Sequence, residues 1–554
     1  MRLAGHRTQA REEPAAARSY TASPTRIATL AIGVVASLLL LWVPLGSPPV
    51  GAFSDSIEYI ILAQQVRGLL GAADHTLLMQ TRLPAGFPAW LALAGIDVAH
   101  AARAHWMTWL AFAWALVAFS VWIGREVQGR AAIIVATLAT AMPGFLLIAL
   151  NPVSESLFAA LIGTALLGGV QREICASDGK LRLAGSIAAA LLPLVRTAGL
   201  PLTFAYAAWQ LSATQRPRGR RAALRAIAVV APGLVWHGWR AILPIKSAYS
   251  SSFEIDQLRE RFGSFGDFLG VQLLAIPNGL ARLVDPTPGA LAWVLAIGGL
   301  VLGAVGWTRR WRNRTLDSWL LPPALGILQI WPWPNEYPRM LWPVLPILAV
   351  CVWQGTMVVR ERCTRYAAIG VPAFVVMLAA CMASAWVPIA ARMSLPVPED
   401  DRPFQRLSAY LLANTPQQAA SVAAAASALD RTVRALPEHM NQDDCVYAIA
   451  AEAVWLGSGG RVLTRHFDQH IDPTAPLPSQ LQFCRFVLAA QLTSPQFPQL
   501  PPLFPLAVAG PWADVVLRTD FAAGGQRRTA AALLRHREWP AAVKPGDDAV
   551  GRPR

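Results

Sequence analysis

Apolar runs of about 20 residues recur along the first 390 positions, separated by short polar segments. Each is long enough to cross a hydrocarbon core about 30 Å thick, because a helix rises about 1.5 Å per residue. About 11 spans are predicted, at 27–46, 102–124, 131–150, 153–170, 183–196, 199–213, 222–243, 287–307, 316–332, 341–358 and 366–389. Residues 55–70 and 83–96 mix apolar and polar positions and read as helices lying in the membrane interface, as does the stretch 262–283. Beyond residue 390 the pattern shortens to apolar runs at 446–451, 461–464, 485–490 and 515–517, with a helical stretch at 452–456 and a Gly457–Gly460 turn between them. That alternation suits a small α/β domain.

The expected fold class is therefore an all-α polytopic membrane domain, with transmembrane and interfacial helices, followed by a small extracytoplasmic α/β domain. The expected layout is a cytoplasmic tail over 1–26, a membrane domain over 27–390, the α/β domain over 391–521 and a loosely held tail over 522–554, rich in Ala, Arg, Gly and Pro.

Composition supports the membrane reading. Hydrophobic residues make up 54% of the chain and charged residues 15%, with 21 tryptophans, many near span ends. Mean hydropathy is +0.39. A net charge of +15 suits nucleic acid in a soluble protein. Here the cations gather in alternate short loops, and no nucleic-acid partner is expected. Arg125 and Arg130, Arg216 to Arg225, Arg309 to Arg314, and Arg360 to Arg365 fall on one side with the N-terminal tail. The positive-inside rule puts that side in the cytoplasm and the C-terminal domain outside. Pro44, Pro48 and Pro49 follow the first span in place of a small-residue cleavage site, so it reads as a retained anchor. Cys445 and Cys484 both fall in the external domain. They read as a disulfide or as two buried thiols.

The chemistry gathers in the external segments. The first loop contains Ser54-Asp55-Ser-Ile-Glu58-Tyr59, followed by Arg82-Leu-Pro84-Ala-Gly86-Phe87-Pro88. Asp55 with Glu58 three residues on is a capping-box pattern, which is a structural role. It is also a pair of carboxylates at a membrane face, where charge is costly and points to function. Asn151-Pro152 starts a span, and Glu155 in its first turn is not needed for that start. Asp55 and Glu155 together suit metal binding or divided acid and base roles. Arg82, Arg196 and Arg339 lie on the same expected side. Each reads alone as a snorkelling residue, and with the carboxylates they outline a site for a phosphate-bearing lipid.

The Asp55 segment, the Arg82…Pro88 segment, the Pro152-Val-Ser-Glu155-Ser-Leu-Phe158 turn and the Tyr337-Pro-Arg339-Met-Leu-Trp-Pro343-Val-Leu-Pro346 run together resemble the GT-C superfamily of integral membrane glycosyltransferases. The bacterial branch related to protein mannosyltransferases and the aminoarabinose transferase is the nearest in flavour, over about residues 27–390. The resemblance implies transfer of a sugar, with inversion, from a polyprenyl-phosphate donor to a lipid, glycan or protein acceptor outside a bacterial inner membrane. It implies Asp55 as the key carboxylate and Glu155 as the second, the two sharing a divalent metal (Mg or Mn) in some members. Arg82 and Arg339 would hold the donor phosphate with Arg196, and Glu58, Tyr59 and Tyr337 would support the site. The aminoarabinose transferases carry an acidic–basic pair where this chain has Thr81-Arg82, so one metal ligand of that branch is missing. A transporter of lipid-linked glycans would place charges or broken helices at mid-membrane and show an inverted repeat. An inactive scaffold would tolerate Ala at Asp55, Arg82 and Glu155.

Overall fold

A computed structural model describes residues 24–41, 54–69, 83–97, 100–145, 152–170, 178–212, 220–242, 263–331 and 336–393, and in the C-terminal part 416–441, 444–448, 454–455, 457–458, 461–466, 484–490, 512–523 and 526–537. The N-terminal helices are α1 (Pro24–Leu39), α2 (Ser54–Leu69), α3 (Gly86–Leu93), α4 (Ala104–Glu126), α5 (Arg130–Thr140) and α6 (Glu155–Gly169). There follow α7 (Asp178–Val195), α8 (Gly199–Ser212), α9 (Arg220–Ile242), α10 (Phe265–Val284), α11 (Ala290–Arg312) and α12 (Leu316–Ile330). The set closes with α13 (Tyr337–Leu341), α14 (Leu345–Arg362), α15 (Thr364–Met393) and α16 (Pro416–His439).

Each expected span falls on one of these helices. Among the described residues, five helical stretches are long and apolar enough to cross a membrane: Ala101–Glu126, Ala222–Ile242, Ala290–Arg312, Tyr337–Arg362 and Ile369–Val387. Helices α1, α5 and α6 are apolar but shorter. Helix α12 has 15 residues and spans roughly 22 Å, less than a hydrocarbon core. The charges of Asp178, Lys180 and Arg182 occupy the first turns of α7. The interfacial segments are helical as expected, as α2, α3 and α10. Helix α2 begins at Ser54, so Asp55 lies inside its first turn rather than before it as a cap.

Glycine sets the closest approaches. A Cβ on Gly306 of α11 would come within 1.8 Å of the Cys351 carbonyl oxygen of α14. Only glycine lets these two backbones touch, and in lipid such packing replaces the hydrophobic drive available in water. Trp342, in the turn after α13, stacks on Phe112 of α4 with centroids 4.5 Å apart. Both rings are buried.

The C-terminal part contains a five-stranded sheet of β1 (Cys445–Ala448), β2 (Leu463–His466), β3 (Phe486–Ala490), β4 (Ala513–Ala523) and β5 (Gln526–His536). Its order is β2-β1-β3-β5-β4. β1 runs parallel to β2 and β3, and β5 runs antiparallel to β3 and β4. Val433 and Leu436 of α16 pack on one face, against Val446, Leu488 and Leu533. Tyr447, Val487 and Leu534 fill the other. Cys445 and Cys484 form a disulfide between the starts of β1 and β3.

Strand β5 corrects the reading of 522–554 as a loose tail. Its Ala531-Ala-Leu-Leu534 centre is fully buried between β3 and β4. The flanking Arg527, Arg528 and Arg535 gave the segment its disordered composition. The rest of that tail, 538–554, lies outside the described residues, as do 1–23.

Candidate functional site

The site forms where α6 begins. Pro152 precedes this helix, and Glu155 is its first residue. Although Glu155 is acidic, its side chain is only 2% exposed. A buried carboxylate needs cationic partners. Arg196 Nη1 lies 2.6 Å from Glu155 Oε1, and Arg339 Nε lies 3.2 Å from the same oxygen. Arg196 follows the C-terminus of α7, and Arg339 sits in the short helix α13. Three segments distant in sequence thus meet at one carboxylate oxygen.

A second layer fixes these groups. Arg339 Nη2 pairs with Glu336 Oε2 at 3.2 Å, and the Trp331 indole donates to that same oxygen at 3.1 Å. Arg196 Nη1 also donates to Ser154 Oγ at 3.2 Å. The Tyr59 hydroxyl donates to Ser154 Oγ at 2.8 Å, which ties α2 to the start of α6. The Tyr59 ring meets Phe87 of α3 edge-on, with centroids 4.9 Å apart. Tyr337, fully buried, shares its one hydroxyl proton between the side-chain oxygen of Gln272 in α10 and the Leu328 carbonyl. Gln272 in turn donates to the Trp331 carbonyl at 2.6 Å.

Glycine again explains one approach. A Cβ on Gly86 would lie 2.6 Å from the Leu194 carbonyl oxygen. The Pro84-Ala-Gly86 segment therefore packs directly on the turn that presents Arg196.

Of the residues singled out in the sequence, Glu155, Arg196, Arg339 and Tyr59 converge, and Tyr337 buttresses the helix that carries Arg339. Glu58 is half-buried on α2. Asp55 lies in α2 one helical turn before Tyr59, and its side chain is outside the described residues. Arg82 is also outside them. Sequence reasoning passed over Ser154 and Glu336, although each lies within three residues of a chosen arginine or carboxylate. Small hydroxyls and a third carboxylate carry no signal until their partners are known.

The donors around Glu155 bear on a metal. Its Oε1 faces two guanidiniums, which repel a divalent cation. Among the described residues no three His, Cys, Asp or Glu side chains group to hold one. The described residues do not fit a metal centred on Glu155, and the side chain of Asp55 lies outside them. What the arrangement can do is present two guanidiniums to an anion.

A second buried ionic cluster lies at the other end of α6. Arg310 of α11 binds both Asp317 oxygens, with Nη2 2.7 Å from Oδ1, and reaches Glu126 Oε2 at 2.9 Å. These groups border a cavity of about 280 Å³, along with Gly169, Asn313 and Gln354.

No family model and no curated protein matches the sequence. Among solved structures, the chain is similar to ArnT from Cupriavidus metallidurans bound to undecaprenyl phosphate. The TM-score is 0.52 at 13% identity, over 91% of this chain and 97% of that one. ArnT in the apo state gives a TM-score of 0.48 at 13% identity, over 91% and 97% of the two chains. The Archaeoglobus fulgidus oligosaccharyltransferase AglB, in complex with an inhibitory peptide and a dolichol-phosphate, gives 0.44 at 12% identity, over 91% and 74%. At this identity the likeness to ArnT is one of fold, and it extends over nearly the whole chain.

Proposed function

We propose that this protein is a membrane glycosyltransferase, taking a sugar from a polyprenyl-phosphate donor and passing it to an acceptor at the extracytoplasmic face of a bacterial inner membrane. The observation that carries this reading is the meeting of Arg196 and Arg339 on one buried oxygen, within a fold whose similar structure, ArnT, was solved with undecaprenyl phosphate. Paired guanidiniums recognise phosphate well and stabilise it as a leaving group.

In the proposed step the acceptor hydroxyl attacks the anomeric carbon from the face opposite the phosphate. The new bond is from acceptor oxygen to anomeric carbon, and the bond from anomeric carbon to phosphate oxygen breaks. The electron pair leaves with the phosphate, where the arginines meet it. The acceptor proton passes to the Asp55 carboxylate as general base. Attack from the opposite face inverts the anomeric centre. Tyr59, one turn after Asp55, holds α2 against the phosphate end of the site through Ser154.

The test uses the purified full chain and a panel of polyprenyl-phosphate sugars, with release of polyprenyl phosphate as the readout. Asp55→Asn is expected to lower release at least about 100-fold while the protein keeps its elution profile and melting temperature. An Asp55→Asn variant with full activity removes Asp55 from this role. A wild-type chain that releases nothing from any donor overturns the reading.

A further inference from the structure

We propose that Glu155 is an internal stand-in for the donor phosphate: it occupies the anion seat between Arg196 and Arg339, and the lipid phosphate binds by displacing it. This rests on the functional reading above and adds how the site loads and unloads.

The geometry points to a seat already filled. Both guanidiniums approach the same atom, Oε1, at 2.6 and 3.2 Å. The group is nearly closed to solvent, with side-chain exposures of 2% for Glu155, 16% for Arg196 and 7% for Arg339. With Glu336 on the far end of Arg339, the four formal charges cancel. A neutral, buried group has little attraction for a further anion. A phosphate placed beside Glu155 meets like-charge repulsion at reduced dielectric. It gains the guanidiniums only as far as the carboxylate yields them.

A displaced carboxylate stays at the start of α6, where the first backbone N–H groups, which lack partners within the helix, and the helix dipole favour negative charge. The arginines are held by other partners meanwhile, Arg196 by Ser154 and Arg339 by Glu336. They stay aimed at the seat when its occupant changes.

Displacement has a kinetic consequence. The donor is a phosphodiester with one charge, whereas the released polyprenyl phosphate is a monoester carrying up to two near neutral pH. Paired arginines alone would hold the product more tightly than the donor. An internal anion that returns to the seat opposes this and speeds product release.

The test compares undecaprenyl phosphate binding to the full-length wild type and Glu155→Gln in nanodiscs, with EDTA and separately with Mg²⁺. Removing the competing charge is expected to tighten binding about tenfold, because the phosphate no longer has to displace an ion-paired carboxylate. Product inhibition of transfer should deepen in parallel. Glu155→Asp, which keeps the charge but withdraws it by one methylene, should fall between the two and carries the test should the Gln variant misfold. Binding by Glu155→Gln that is equal to or weaker than wild type overturns the proposal. So does weaker binding confined to Mg²⁺, which is the behaviour of a metal ligand. A wild type that binds no lipid phosphate overturns instead the functional reading on which this one rests.

Discussion

Two buried ionic clusters sit at opposite ends of α6, about 21 Å apart along its 15 residues, and they are built with opposite balance. At the first, two guanidiniums share one carboxylate oxygen. At the second, one guanidinium is shared by two carboxylates, gripping Asp317 with two nitrogens and reaching Glu126 with one of them. Two guanidiniums that converge on one oxygen can, on the proposed reading, exchange that oxygen for another anion. A carboxylate surplus cannot, and it ties the ends of α4, α11 and α12 together. Burial and ion pairing alone therefore do not mark a functional site. On the proposed reading, what sets the first cluster apart is that two guanidiniums converge on a single oxygen, although Glu336 balances their charge.

The largest expected effect breaks this comparison if it fails. Arg310→Met leaves Glu126 and Asp317 buried without their cation and should cost roughly 3–5 kcal/mol of stability. It should leave turnover per folded molecule unchanged. Arg339→Met should do the reverse. Glu155 keeps Arg196 and Glu336 keeps the Trp331 indole, so stability falls by only about 1–2 kcal/mol, while transfer drops roughly 100-fold. Thermal unfolding and transfer assays on both variants separate the two roles. Equal effects on both readouts would erase the distinction.

A second experiment sharpens which end faces outside. The Cys445–Cys484 disulfide closes a separation of 39 residues. In intact cells these thiols should resist maleimide until a reductant is added. Cys445→Ser with Cys484→Ser should lower the stability of the sheet domain by about 2–4 kcal/mol, read as earlier proteolysis of that domain. With a membrane-impermeant maleimide, labelling without reductant would contradict the disulfide, and no labelling after reduction would contradict the outside placement.

The smallest effect concerns the anchoring of α2. Arg67 in its last turn donates to the Gly95 carbonyl and pairs with Asp97 at 2.8 Å, and His100 binds Asp97 as well. Partial burial works to raise the Asp97 pKa, and the hydrogen bonds from His100 and Arg67 outweigh it, so the carboxyl titrates below its ordinary 3.8. Its stabilisation is complete above that value and fades as pH falls through the lower folded one. Asp97→Asn should flatten this acid limb of the melting curve. Asp97 is part-buried but its partners Arg67 and His100 are exposed, so solvent screening should keep the loss at neutral pH below about 0.5 kcal/mol. An acid limb unchanged in the variant assigns it to other carboxylates.

Much of the fold is legible in the sequence because hydrophobic length and periodicity are local properties. The helices before residue 390, the change of pattern there and four of the five strands follow from them, whereas the Ala-rich helix α16 escapes them. Strand β5 does not, because its buried Ala531-Ala-Leu-Leu534 centre is short and bracketed by arginines. Its place depends on pairing with β3 and β4. The eleven predicted spans fall on helices, but length and hydropathy alone qualify five stretches for crossing. Short helices such as α6 and α12 are stabilised by neighbours, which a window along one segment cannot register.

The sequence by itself determined which residues are costly where they stand: Asp55, Glu155, Arg196 and Arg339 occur in or beside apolar segments. Solvation physics makes such charges conspicuous one at a time. Only the tertiary structure decided that Arg196 and Arg339 meet on Glu155, that Ser154 and Glu336 hold the arginines, and that Arg310 belongs to a lock instead. Pairing is a long-range property, set by packing such as Gly86 against Leu194. Two arginines on one carboxylate and one arginine on two look alike until those contacts are known.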